Sequence, residues 1–160
     1  METKNLYLTN LFNIVNQHNQ MFEKFQNIPS NYFEPGKMEN LDQYEGLIDE
    51  KNKIITLKTP IKGLKYNDRS KVVEFLNNGD NVVIERDELN QYNSNNFVVK
   101  TIKMKEIGYL DASLCNSLAP LFDNNLITIV ESSISYLERL TERSRYAVQA
   151  IVFIKLILKF

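Results

Sequence analysis

From residue 53 onward the chain falls into short apolar runs, each closed within a few residues by Gly, Pro or a cluster of Asn and Asp, and this punctuation limits the fold more than any other feature. "KIITLKT" (53–59) reads as a strand that closes at Pro60, and "IKGLKY" (61–66) carries Gly63, which permits a tight bend or bulge. "NVVIER" (81–86), "NFVVKTIKM" (96–104) and "KEIGYL" (105–110, with Gly108 near its end) are further strands. "LITIVESS" (126–133) and "RYAVQAIVFIKLI" (145–157) close the series. Two segments have helical character. In "DRSKVVEFLNNG" (68–79), Asp68 suits the N-cap, Val72, Val73, Phe75 and Leu76 supply an apolar face, and Gly79 suits the position after the helix. "DASLCNSLAPLFDNN" (111–125) has Asp111 as cap and Leu114, Leu118, Leu121 and Phe122 as its face. Pro120 inside it predicts two short turns or a kink near Leu118. Many short strands with so little helix predict a mainly β fold, a small, partly closed barrel and not a βαβ sheet. No internal repeat is present.

Ahead of the strands, residues 3–27 read as an amphipathic helix. Leu8, Leu11, Val15, His18, Phe22 and Phe25 fall on one stripe, which either packs on the chain's own domain or forms a dimer or partner contact. Residues 28–52 are an acidic connector punctuated by Pro29, Pro35, Gly36 and Gly46, too rich in apolar side chains for a free linker. The organisation is a helix and connector over 1–50 and a barrel domain over 51–160.

The 160 residues allow one domain with a core plus an appendage. A net charge of −1 excludes a uniformly basic surface, so any nucleic-acid binding comes from a local patch. Asparagines interrupt every apolar run of the first 20 residues, unlike a secretory signal. The apolar "YAVQAIVFIKLILKF" at the other end is too short to span a bilayer and carries Gln149 and Lys155, so it reads as a buried strand. One cysteine, Cys115, forms no internal disulfide and fits a reducing cytoplasm.

Catalytic constellations are sparse. Cys115 and the single histidine, His18, lie on different predicted helices, and there is no GxSxG, Walker or GxGxxG motif and hence no cofactor signature. Glu85, Asp87 and Asp111 make the one carboxylate set that would serve a magnesium-dependent nuclease if they converged; otherwise they are solvated strand-end charges. Aromatic and basic residues at strand ends remain: Lys62, Lys65 and Tyr66 after the Gly63 bend, Arg86, Tyr92, Lys100, Lys103, Lys105 and Tyr109. Exposed rings that stack bases and cations that hold phosphates suit single-stranded nucleic acid, although such residues also occur as ordinary rim side chains. Tyr92 is the lone aromatic of an asparagine-rich loop, "RDELNQYNSNN" (86–96), where the amides serve either ligand contacts or turn formation.

"GLKY" (63–66), the Gly79 turn, "VVIERDELNQYNSNNFVV" (82–99), "IGYL" (107–110) and "LAPLFDNN" (118–125), in this order and spacing, resemble the HIRAN domain over roughly residues 53–157. The resemblance implies an OB-like barrel and a non-enzymatic module that binds single-stranded DNA, in the best-understood examples at its 3′-hydroxyl end. By position, Lys65 and Tyr66 correspond to a strand clamp, Asn90, Tyr92 and Asn93 to an end-binding loop, and Tyr109 to a further groove contact. The sequence departs from such end binders in three places. Lys65 stands for an arginine and loses bidentate phosphate contact. Asn67 stands for a second tyrosine. Asn93 stands for an aspartate that accepts strongly from a 3′-hydroxyl. Three functions follow as expectations: a DNA-binding module, a protein-interaction or dimerisation module using the helix at 3–27, and a metal nuclease.

Overall fold

The computed structural model describes residues 2–27, 48–64, 69–139 and 150–160. The described elements are α1 (Glu2–Asn27), β1 (Ile48–Asp49), β2 (Ile54–Lys62), α2 (Arg69–Val73), β3 (Val82–Arg86), β4 (Phe97–Thr101), β5 (Glu106–Leu110), α3 (Ala112–Asp123), β6 (Thr128–Arg139) and β7 (Ala150–Lys159). The strands run in the order β3-β4-β5-β2-β7-β6, every neighbour antiparallel, with β1 added to β2. The two ends of this path meet. The Gly79 N–H donates to the Ile134 carbonyl and the Ile134 N–H to the Asp80 carbonyl, both at 2.8 Å, and Asn81 bridges Ser133. The Ser132 hydroxyl adds a bond to the Val82 carbonyl at 2.6 Å. The fold is therefore mainly β, a nearly closed barrel behind an N-terminal helix. Among the described residues no helix is long and apolar enough to cross a membrane.

Alternation explains the inside. Along β2, Ile55, Leu57, Thr59 and Ile61 are buried and their neighbours are not, as a period of two requires. Phe97, Val99, Ile107, Val152, Ile154, Leu156 and Leu158 complete the interior, and Leu114, Leu118 and Leu121 of α3 plug one side of it. β2 does not close at Pro60. It pairs with β7 through Pro60 and with β5 from Ile61, so the proline sits where the strand changes partners. There its missing N–H costs little, which is the setting in which strands tolerate proline. β6 continues past the run read in the sequence to Arg139, and β7 covers Ala150–Lys159; the start of that last run, residues 145–149, lies outside the described residues.

Helices differ from expectation in extent. α2 ends at Val73, and Phe75, expected on its apolar face, is 81% exposed. α3 is continuous through Pro120, with no break near Leu118. Asp111 caps it as expected, accepting from the Ser113 N–H at 3.1 Å. The Asp68 cap and the connector through residue 47 lie outside the described residues.

α1 lies on its own domain. Leu11, Val15 and Phe22 are 0–2% exposed, and each such burial contributes about 1.5–3 kcal/mol. Phe22 meets Phe153 with ring centroids 5.3 Å apart. Asn19 stitches the helix to the open edge of β2. Its Nδ2 donates to the Thr56 carbonyl (3.0 Å) and its Oδ1 accepts from the Lys58 N–H (2.7 Å). One amide side chain thus satisfies the ladder groups that a missing strand would have paired. Of the two roles read for this stripe, packing on the chain's own domain is the one that buries Leu11, Val15 and Phe22; the side chain of Phe25 lies outside the described residues.

Candidate nucleic-acid interface

The asparagine loop connects β3 to β4 just beyond the Arg86–Phe97 pair. Its backbone closes on itself: Asp87 N–H donates to the Asn96 carbonyl (2.8 Å), Asn90 N–H to Asp87 (3.1 Å), and Asn96 N–H to Asn93 (3.1 Å). Asn90 Oδ1 accepts from the N–H groups of Tyr92 (2.9 Å) and Asn93 (3.0 Å), an Asx turn. Asn90 and Asn96 both donate to Asp87 Oδ2, at 3.1 and 3.0 Å. Asn93 Oδ1 accepts from the Asn95 N–H at 3.0 Å, and the amides of Asn93 and Asn95 donate to Asn116 Oδ1 on α3 at 3.2 and 3.3 Å. The amides thus face inward, Asn90 and Asn93 included. Tyr92 does not: its side chain is carried outward and is 87% exposed.

Arg86 fixes the base of this loop. Nε and Nη2 grip the two carboxylate oxygens of Asp123 at 2.8 and 2.9 Å. Nη1 donates to the carbonyls of Ser94 (3.0 Å) and Asn96 (2.9 Å). The guanidinium also lies 5.3 Å from the Phe97 ring centre. Its bond to Asp123 raises the Arg86 pKa and holds the Asp123 carboxyl below the usual range. Arg86, grouped in the sequence with strand-end cations open to phosphate, is a scaffold residue. Lys100 is likewise engaged, 3.0 Å from Glu85 Oε2.

Tyr109 sits in a row across the sheet, Glu85–Val98–Tyr109–Lys62, whose members share one face because they are directly paired. The Arg69 guanidinium stacks 4.2 Å above the Tyr109 ring, and Arg69 Nη1 donates to the Gly63 carbonyl at 2.8 Å. Arg69 is fully buried. Its Nη2 lies 3.5 Å from Glu106 Oε2, while Nε and Nη2 make no hydrogen bond. Gly63 has φ +75°, and a Cβ there would stand 3.0 Å from both Arg69 Nη1 and Tyr109 Cδ2. Gly63 and Arg69 are therefore both held beside Tyr109. Lys65 and Tyr66, which come between them in the chain, lie outside the described residues. Sequence reasoning missed Arg69, Asn116 and Asp123. Asp123 alone had a signal, as the acid of the "LAPLFDNN" segment (118–125).

The catalytic alternatives do not assemble. Among the described residues no three His, Cys, Asp or Glu side chains group as a metal site. Glu85 faces Lys100, Asp87 serves the loop, and Asp111 caps α3. The Cys115 thiol donates to the Leu110 carbonyl at 3.6 Å, and burial pushes its pKa up to about 11. His18 Nδ1 is 2.8 Å from Thr59 Oγ1 and Nε2 is 3.7 Å from Asp111 Oδ2. Burial pushes the imidazole down to about 4 against the attraction of Asp111, with Lys62 adding to the fall. Burial also opposes the Asp111 charge. It is the largest single effect there, but the Ser113 hydroxyl, His18, Lys62 and the Ser113 N–H together outweigh it and hold that carboxyl below its ordinary value. His18 is a core histidine bonded to β2.

A nearly closed antiparallel barrel with a capping helix and a rigid loop presenting one tyrosine defines an OB-like module. The family model of the HIRAN domain matches residues 54–156, and this chain belongs to that family. Among solved structures, a protein from Lactobacillus plantarum is 20% identical over 67% of this chain and 97% of its own, with a TM-score of 0.50. The crystal structure of the HIRAN domain of human HLTF is 23% identical over 65% of this chain and 76% of its own, TM-score 0.47. The HLTF domain in its DNA-bound conformation, determined by NMR, is 23% identical over 65% and 75%, TM-score 0.45. No curated protein matches the chain.

Proposed function

We propose that this chain is a non-enzymatic module that binds single-stranded DNA and takes the end of the strand at the asparagine loop. The observation that carries this reading is Tyr92. A ring that is 87% exposed does little for the fold, yet the loop that carries it is tied down by its own amides, by Asn116 and by Arg86. A pre-ordered exposed ring is what base stacking uses, because little ordering entropy remains to be lost on binding. Lys65, Tyr66 and Tyr109 are assigned to the strand clamp by their match to the family pattern, and Arg69 positions the Tyr109 ring. Asn90 and Asn93 act mainly by holding the loop. Membership in the HIRAN family, one member of which is known in a DNA-bound conformation, supports the same partner.

Asn93 sets the expected end preference. A neutral amide with its oxygen already accepting from Asn95 offers a 3′-hydroxyl less than a carboxylate would, and repels a terminal phosphate less. Fluorescence anisotropy with a labelled single strand ending in a 3′-hydroxyl, the same strand with a 3′-phosphate, and a blunt duplex tests this. Both single strands bind, with similar affinity and falling with salt, and the duplex binds more weakly. Tyr92→Ala weakens single-strand binding by about 1–3 kcal/mol, the range for a stacked base. Wild-type affinity in Tyr92→Ala defeats the assignment of the loop, and absence of binding to every strand defeats the function.

A further inference from the structure

Beyond the loop and Tyr109, a second basic and aromatic surface lies at the other end of the β3–β4 pair. A groove of about 750 Å³ separates the turn that follows α2 from the β4–β5 turn, lined among others by Lys71, Phe75, Ile102, Lys103 and Lys105. Phe75 is 81% exposed and Ile102 69%. The lining holds one carboxylate, Asp80, and it already accepts from the Asn77 N–H at 2.8 Å. Among the described residues none of the three lysines has an ion-pair partner, unlike Arg86 and Lys100.

Both walls are held by backbone bonds. In the β4–β5 turn, Thr101 N–H donates to the Lys105 carbonyl and Met104 N–H to the Thr101 carbonyl, both at 2.8 Å, with Met104 at φ +66°. That is a tight hairpin turn with a left-handed residue before the second strand, and it holds Ile102 and Lys103 outward. Opposite, Phe75 N–H donates to Val72 (3.1 Å) and Leu76 N–H to Val73 (3.2 Å), while buried Val73 and Leu76 anchor the turn. Phe75 is thus displayed by a fixed backbone and contributes little to the core beneath it.

We propose that this groove is a second subsite for single-stranded DNA: a base stacks on Phe75, and Lys71, Lys103 and Lys105 meet phosphates. This rests on the DNA-binding function above. The charge is complementary to a polyanion, and the exposed ring offers a flat face to a base. The groove adjoins the first site through α2, which begins at Arg69 on the Tyr109 ring and ends at Val73, two residues before Phe75. Folds of this kind cover roughly 4–16 nucleotides, more than an end pocket alone accounts for.

The test compares oligothymidylates of about 4 and about 15 nucleotides, over a salt series, in the full chain. Variants are Phe75→Ala, Lys103→Ala/Lys105→Ala and, as a control on the first site, Tyr92→Ala, each checked for an unchanged thermal midpoint. Wild type binds the longer strand at least about tenfold more tightly. The double lysine variant loses most of that advantage, and its log–log salt slope falls by about 1.4, two single-strand phosphate contacts' worth. Phe75→Ala loses about fivefold or more on the longer strand, a stacked base being worth at least that. Neither changes binding of the shorter strand, which Tyr92→Ala weakens. Equal wild-type affinity for the two lengths, or a length advantage intact in both groove variants, overturns the subsite and leaves the end loop standing. Failure of wild type to bind either length overturns both. Groove variants that lose an acidic peptide, polyglutamate, while keeping long-strand DNA affinity show a protein-facing surface and overturn the DNA subsite.

Discussion

His18 makes the stability of this domain depend on pH in a window where little else titrates. The imidazole is 4% exposed, wedged between Thr59 of β2 and Asp111 at the head of α3, and burial lowers its pKa from 6.5 to about 4. A folded-state pKa below the unfolded one means that the unfolded chain binds the proton more readily. Stability from this group is complete above about pH 6.5 and falls as pH drops through the window down to about 4. The full difference, about 2.5 units at 1.36 kcal/mol each, is about 3 kcal/mol, of which about 2 kcal/mol is already lost by about pH 5. Asp49, Asp111 and Asp123, whose folded pKa values are lowered, keep their stabilisation above the unfolded carboxylate value near 3.8 and lose it only below. Urea denaturation at intervals between about pH 7.5 and pH 4.5 isolates the histidine. Wild type loses about 2 kcal/mol or more over that interval, and His18→Gln, which carries no titrating group, stays nearly flat. Parallel curves for the two proteins refute the reasoning. They would mean that Asp111 neutralises the buried imidazolium well enough to cancel its desolvation.

The grip of Arg86 and the packing of Gly108 give two further predictions. Arg86→Ala costs about 2–3 kcal/mol in urea denaturation, because the Ser94 and Asn96 carbonyls lose a charged donor beside the buried Asn96. Asp123→Asn costs only about 1 kcal/mol or less, since that carboxylate is about half exposed; equal costs would show that the ion pair, and not the carbonyl bonds, holds the loop. Gly108→Ala drives a methyl group against the Lys62 carbonyl oxygen and Ile61 Cγ2 where β5 crosses β2, and overpacking of this kind costs about 1–3 kcal/mol. Calorimetry is expected to record a fall in Tm on the order of 5 °C, and an unchanged Tm would mean that the strand crossing yields freely.

The strands were legible because their signal is local. Alternation along Ile54–Lys62 and the turn residues around Gly79 and Asp87 fix where the chain runs straight and where it reverses. Ends and interruptions were less legible because they depend on partners. Pro60 reads as a stop until β5 takes over from β7 beside it. Val72, Val73, Phe75 and Leu76 imitate a helix face, but the closing bonds from Gly79 and Asp80 to Ile134 pull the chain into a turn after Val73 and leave Phe75 outside. Polar side chains were hardest to place, since a hydrogen-bond partner is invisible in one dimension. Nothing in the sequence ties Asn19 to the backbone of β2 or Arg69 to the ring of Tyr109.

That distinction bears on the loop itself. Asparagine serves as ligand contact and as turn former with the same atoms, so its oxygen cannot fully do both. Asn90 Oδ1 accepts two backbone N–H bonds and Asn93 Oδ1 one, leaving the tyrosine between them as the loop's exposed aromatic group. An aspartate at 93 would bring a full charge to the same turn and strengthen both the bond to Asn95 and any bond to a terminal hydroxyl. The amide keeps the turn and gives up most of the charge-dependent discrimination. Under the proposed function, the loop's selectivity rests on stacking against Tyr92, which every base satisfies.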